Sequence, residues 1–323
     1  MFDVAQPSPM VSIGDGFLFS IFHYTIFTTM FSILLYYKYV FVADPERLKI
    51  DQLNLCRKLD LKGRIIVSKE GINGTVEGTK QATATYIAEM KKDSRFADID
   101  FKESEGDGAS FPRLSVKNRP EIVTLGTGTS DGNFKTGAYI SPDELQKWFD
   151  EKKDFVVIDM RNDYEHVVGH FENSILFPVD SFKEIPKQVE NLSHLKDKTI
   201  VNVCTGGVRC EKASSYLMEK GFKNVHQLEG GMVRYLEKHP GKKFKGSLYV
   251  FDKRVVVNYD SPEQHVVIGK CKHCNTPSEK CENCSNLDCH KHLICCEECN
   301  EKFGLFCSEQ CRKIVEAKTV AVK

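Results

Sequence analysis

A thiol at the end of an apolar run, two glycines and an arginine make up the stretch Cys204-Thr205-Gly206-Gly207-Val208-Arg209-Cys210. Residues 199–203, Thr-Ile-Val-Asn-Val, precede it and read as a strand buried on both faces. Residues 211–221 follow as a helix with apolar residues at helical spacing and a glycine stop. A cysteine that leaves a buried parallel strand, crosses a glycine turn and meets a helix sits where backbone N–H groups converge, and such a cradle suits an anion. Cys204 should therefore have a depressed thiol pKa and act as a nucleophile. Gly206 and Gly207 are expected to supply the backbone angles that aim amides at the sulfur. Arg209, in the first helical turn, opposes the helix dipole and makes sense if an anion lies beside it. The alternative is a buried structural cysteine beside a turn; strand, loop and helix together favour the reactive thiol. That reading requires amides turned inward and a sulfur that substrate can reach.

A second group of side chains has metal chemistry. Of thirteen cysteines, ten crowd into residues 271–311, with Cys271/Cys274, Cys281/Cys284 and Cys296/Cys299 as C-x-x-C pairs. Thiolates at this spacing favour tetrahedral zinc. An interleaved arrangement joins Cys271, Cys274, Cys296 and Cys299 in one site, and Cys284, Cys289, Cys307 and Cys311 in another. Cys281 and Cys295 are then spare, and His273, His290 and His292 are expected at the surface. The segment has little apolar material, so metal would supply its folding free energy, ~10 kcal/mol or more per site. Disulfides are the competing reading and need an oxidising compartment; a reactive-thiol motif beside C-x-x-C pairs suits a reducing cytoplasm.

These groups need a scaffold, and 323 residues allow two or three domains. Lys plus Arg equals Asp plus Glu at 45 each, so no global basic field marks a nucleic-acid binder, and an RNA partner would need a local basic face. Residues 16–37 are uncharged apart from His23 and long enough to span a bilayer. The end of that run also reads as a first strand, so a soluble domain is expected to begin near Met30, with residues 1–29 a leader. A membrane anchor is the other reading, and no stable membrane partner is expected.

From 32 to 103 the pattern is β-α-β-β-α-β, the split βαβ order of ferredoxin-like α+β domains. The turn at 70–75 reads equally as a hairpin corner or a ligand loop. Strand-like pieces at 113–116 and 121–125 lead to a Gly/Ser/Thr linker at 126–132. Basic residues Lys102, Arg113, Lys117 and Arg119 nearby read as a solvated face at least as well as an RNA surface. From about 136 to 241 strands alternate with helices, which gives a parallel α/β sheet with its site beyond the carboxyl ends of the strands. Asp159, Arg161 and Glu165 then share a rim with Cys204. The domain expectation is 1–29, 30–128, 129–246 and 247–323.

The loop resembles that of rhodanese domains, in which the first loop cysteine carries a persulfide. The resemblance implies that Asp159 and Arg161 brace the loop and that Thr205, Gly206, Gly207 and Val208 line it. The longer string from Cys204 to Ser214 is similar to that of the bacterial tRNA uridine-34 hydroxylase family. So are Tyr36-Tyr37-Lys38-Tyr39, Glu70-Gly71-Ile72-Asn73-Gly74, residues 158–165, Gly169-His170-Phe171, Glu229-Gly230-Gly231 and the terminal cysteines. That family implies a cytoplasmic oxidoreductase that hydroxylates wobble uridine in the tRNA anticodon loop with molecular oxygen. Cys204, Cys210 and Arg209 become the catalytic candidates, with either cysteine as the working thiol. A thiosulfate-type sulfurtransferase and a non-catalytic sulfur-relay or scaffold module are the other classes.

Overall fold

The computed structural model describes residues 31–127, 131–177, 179, 181–289 and 291–321. The leader expected at 1–29, part of the linker and His290 lie outside them.

The first unit contains β1 (Phe31–Tyr39), α1 (Pro45–Lys58), β2 (Lys62–Ser68), β3 (Gly71–Thr79), α2 (Lys80–Lys91), β4 (Phe101–Gly106) and β5 (Leu114–Asn118). Asp44 caps α1 by accepting from the Arg47 N–H at 2.9 Å, and Pro45 fits the first turn, where no N–H is needed. The sheet order β4-β1-β3-β2 is ferredoxin-like, with β5 added in parallel beside β2. Alternation along β1 sends Leu34 and Tyr36 into this unit's core, while Leu35 packs into the core of the next. Residues 121–125 form no strand. Their N–H groups at Ile122 and Leu125 go instead to the carboxylates of Glu70 and Glu121.

The second unit runs through β6 (Ala138–Ile140), α3 (Pro142–Asp150), β7 (Val156–Asp159), α4 (Asp163–His166), β8 (Gly169–Phe171), β9 (Ile175–Leu176) and α5 (Ile185–Gln188). It continues through β10 (Thr199–Val203), α6 (Val208–Glu219), β11 (Asn224–Leu228) and α7 (Gly231–Lys238). Its parallel sheet has the order β6-β11-β10-β7-β9, so β10 is central and Cys204 leaves the middle of the sheet. Apolar residues of β10 feed the cores on both faces, Ile200 on one and Val201 and Val203 on the other, as a doubly covered strand requires.

β12 (Phe244–Gly246) pairs with β8, and a small hairpin of β13 (Leu248–Tyr249) and β14 (Val256–Val257) opens the last unit. β15 (Cys281–Asn283), β16 (His292–Ile294), α8 (Glu297–Phe303) and α9 (Glu309–Ala321) complete it. The core of this segment is largely cysteine with Leu293, so it cannot bury enough apolar area to stand alone. Among the described residues no helix is long and apolar enough to cross a membrane.

Candidate active site

The loop turns at Gly207, whose φ of 103° opens α6. Positive φ is needed there and not at Gly206. Gly206 serves instead as a clearance, because an added Cβ would lie 2.9 Å from Leu35 Cδ2. The Gly207 N–H donates to Cys204 Sγ at 3.2 Å. Burial of Cys204 favours the neutral thiol, but the Cys210 thiol, the Arg209 charge and the N–H groups of Cys210 and Gly207 outweigh it. The Cys204 pKa falls to about 6. Cys210 moves the opposite way, first through burial and then because its proton is shared with the Cys204 sulfur. Two sulfurs that share one proton cannot both ionise, and the geometry gives the charge to Cys204. The cradle is thus two amides and a thiol rather than a full ring of amides.

Arg209 has found its anion within the protein. Its guanidinium binds Glu165 through Nη1–Oε1 at 2.6 Å and Nη2–Oε2 at 2.8 Å, with Phe251 lying 5.8 Å from it. Thr205 Oγ1 receives a further bond from Arg209 at 3.3 Å. The cation expected to lie beside an anion is therefore a positioning group held by Glu165, and its positive field still reaches Cys204. Asp159 and Arg161 form a fully buried bidentate pair, and Arg161 also donates to the Gly169 carbonyl at 2.6 Å. This pair ties the end of β7 to β8 and leaves the Cys204 sulfur to other partners.

Cys204 and Cys210 are both 0% exposed, against the requirement for an open sulfur. Both belong to the core cluster of their own unit, with Ile158, Met160 and Phe177, and the first unit closes over the loop beside them. Leu35 lies over Gly206 and Tyr37 over Gly207. Tyr37 Oη donates to Glu211 Oε1 at 2.7 Å, and Tyr39 Oη donates to the Val208 carbonyl at 3.1 Å. Lys102, expected in a solvated face, is buried with its Nζ 5.3 Å from the Tyr37 ring centroid. At the same interface Lys212 Nζ, on α6, binds both Glu70 oxygens at 2.9 Å and also Glu121. The turn at 70–75 is therefore a hairpin corner whose carboxylate crosses to the second unit. Tyr37, Tyr39, Glu70 and Lys212 stand in separate stretches of the sequence, and nothing in their spacing shows that they meet.

The cysteine segment gathers the two expected sets. Cys271, Cys274, Cys296 and Cys299 converge, as do Cys284, Cys289, Cys307 and Cys311, with the sulfurs of each set within 4.8 Å of one another. Cys274 and Cys296 are 3.6 Å apart and Cys289 and Cys307 are 3.4 Å apart, too far for a disulfide and close to the ~3.8 Å edge of a tetrahedral thiolate site. N–H groups of Cys296 and Cys307 point at Cys271 and Cys284 Sγ, as thiolate ligands require. Both sets can hold a metal ion. Cys281 and Cys295 fall outside both, and His292 is half-buried against Tyr164 rather than a surface residue.

Three family models cover most of the described chain: the UPF0176 acylphosphatase like domain matches residues 31–122, the rhodanese-like domain 141–238 and the rhodanase C-terminal model 245–312. A protein of Cytophaga hutchinsonii named tRNA uridine(34) hydroxylase is 40% identical over 87% of this chain and 90% of its own length. The chain belongs to the tRNA uridine(34) hydroxylase family. Proteins of that name from Bacillus licheniformis and Staphylococcus haemolyticus are 42% and 43% identical, over 87% and 90% of this chain and 88% and 92% of theirs. For this family member, the match runs through all three units, so the interface over Cys204 lies within the matched length.

Proposed function

We propose that this chain is a tRNA-modifying oxidoreductase that converts uridine 34 to 5-hydroxyuridine, with Cys204 as its working thiol. The observation that carries the reading is identity of 40–43% along nearly the whole chain to relatives bearing that name. The site chemistry is compatible with it. A thiolate adding to C6 of a uracil ring converts C5 into an enolate-like nucleophile, and loss of the thiolate later restores the ring. Molecular oxygen is the co-substrate that the family resemblance implies: one of its atoms enters at C5, the C5 proton is lost as the ring is restored, and an external two-electron reductant with two protons takes the other atom to water. Cys204 supplies the nucleophile, Cys210 stabilises its charge with a proton, Arg209 held by Glu165 adds a fixed positive field, and the Asp159–Arg161 pair braces the rim. Thr205, Gly206, Gly207 and Val208 form the loop around the sulfur. Parting of the Leu35 and Tyr37 contacts from the loop is the opening this reading assigns to substrate entry, so domain opening belongs to the cycle. The units at 30–128, 129–246 and 247–323 are read as the moving cover, the catalytic body and the metal-stapled tail.

The test is mass spectrometry of wobble nucleosides in tRNA from cells with and without the chain; loss of 5-hydroxyuridine on deletion is expected, and its persistence would refute the activity. A persulfide-carrying sulfurtransferase would instead turn over thiosulfate and cyanide and leave tRNA unchanged. Because activity needs the thiolate, turnover should rise tenfold per pH unit below pH 6 and level off above it. A pH–rate profile that stays flat between pH 5 and 7 would contradict that assignment.

The two thiolate sets are read as structural zinc sites. Atomic absorption should find about two zinc ions per chain. Chelation should melt the tail, seen as lost ellipticity, because metal coordination replaces its missing core. Full ellipticity in metal-free protein would overturn that reading.

A further inference from the structure

Between the catalytic body and the metal-stapled tail lies a groove of about 1220 Å³, more than the roughly 300–1,000 Å³ of a small-ligand pocket. Lys183 stands on the body side and Lys270, Lys272 and Lys291 on the tail side. All four are exposed, and none pairs with a carboxylate among the described residues, although Lys198, Lys223 and Lys238 elsewhere each do. Asp163, Glu184 and the Cys289, Cys307 and Cys311 sulfurs also line the groove, so its four lysines act as separate cations rather than as a net positive field. The chain as a whole is neutral, so attraction of an anionic strand falls to these four ammonium groups.

The groove also carries an aromatic bridge. Tyr164 from the body and His292 from the tail stack with ring centroids 4.0 Å apart and planes at 14°. Asn162 Nδ2 donates to Tyr164 Oη at 2.8 Å and fixes that ring. Burial lowers the His292 pKa, so the imidazole is uncharged near neutral pH and serves as a flat surface. Tyr164 directly precedes Glu165, the partner of Arg209 in the loop. Residues 204–210 are not part of the groove lining, so a strand lying there would be held against the element that carries Glu165 rather than against the loop itself.

Unpaired cations along a channel with flat rings in its floor are what single-stranded nucleic acid requires, because phosphates take the charges and splayed bases take the rings. We propose that this groove holds the single-stranded anticodon-loop segment of the substrate RNA, with Lys183, Lys270, Lys272 and Lys291 on phosphates and the Tyr164–His292 pair as a base platform. The proposal rests on the tRNA reading above and adds to it a location for the RNA.

The experiment uses full-length, metal-loaded protein and a labelled anticodon stem–loop RNA, with affinity measured at several salt concentrations beside kcat and KM for tRNA hydroxylation. The double variant Lys270→Glu/Lys291→Glu should weaken binding about tenfold or more and flatten the log–log salt dependence by about 1.4, since each lost single-strand phosphate contact removes about 0.7. Tyr164→Leu should also weaken binding about tenfold but leave the salt slope unchanged, as loss of a stacked base does. In each case KM should rise while kcat holds. Metal content is measured in parallel, and if the double variant loses metal, Lys183→Glu on the body side decides. Wild-type affinity, salt slope and KM in these variants would overturn the groove. If groove-dependent RNA binding is found but tRNA gains no hydroxyl, the activity fails and the groove stands; if hydroxylation proceeds with unchanged KM in every variant, the reverse holds.

Discussion

Replacing Lys212 by methionine should lower the stability of the chain by about 3–5 kcal/mol, because it strands two buried carboxylates without their cation. Glu70 is 0% and Glu121 7% exposed, and the single Lys212 ammonium binds both. Backbone N–H groups of Ile122 and Leu125 satisfy other lone pairs of these carboxylates, but an N–H carries no net charge. The site therefore tolerates its one excess negative charge only while Lys212 is present. Urea unfolding at neutral pH measures the loss. The triple variant Lys212→Met, Glu70→Gln, Glu121→Gln should recover part of it, since removing all the charges abolishes the desolvation cost. A change below about 1 kcal/mol in the single variant, or no recovery in the triple, would show that the cluster is not a buried-charge lock. The same single variant should loosen the cover over the loop, read as faster alkylation of Cys204.

Removing one or the other loop thiol should give two different enzymes. Cys204→Ala deletes the nucleophile and should cost on the order of 10³-fold or more in turnover. Cys210→Ala deletes the proton donor to the Cys204 sulfur, while the Gly207 N–H at 3.2 Å and the Arg209 field remain. A hydrogen bond to a charged acceptor contributes about 1.5–3 kcal/mol, so its loss should raise the Cys204 pKa by about one to two units. The Cys210→Ala enzyme should thus be impaired at pH 6 and recover most of its activity at pH 8 to 9. Equal loss in both variants at every pH would mean that Cys210 takes part in the chemistry itself.

Much of the fold was legible because local patterns carried it. Strand 199–203 and the β-α-β-β-α-β order followed from apolar runs and caps such as Asp44-Pro45 and Ser141-Pro142. The thiolate sets were legible because ligand spacing is a local property. What the pattern could not show was which surfaces meet. Leu35, Tyr37 and Tyr39 alternate with core residues of β1, and an alternating strand gives no sign that its second face closes another domain's loop. The basic character of Lys102 suggested solvent, and only the assembled sheet shows it beneath Tyr37. Arg209 correctly announced an anion, but Glu165 supplies it from the other side of the rim. Residues 121–125 had the composition of a strand and became a loop because two carboxylates claimed their N–H groups.

Whether Cys204 does the chemistry on wobble uridine is read directly in tRNA. Cells lacking the chain, complemented with wild type, Cys204→Ala or Cys210→Ala, supply tRNA for quantification of 5-hydroxyuridine by nucleoside mass spectrometry. Wild type should restore the modified nucleoside, Cys210→Ala should give a reduced level, and Cys204→Ala should give none at matched protein abundance. Wild-type levels of 5-hydroxyuridine in the Cys204→Ala cells would show that Cys204 is not the working thiol.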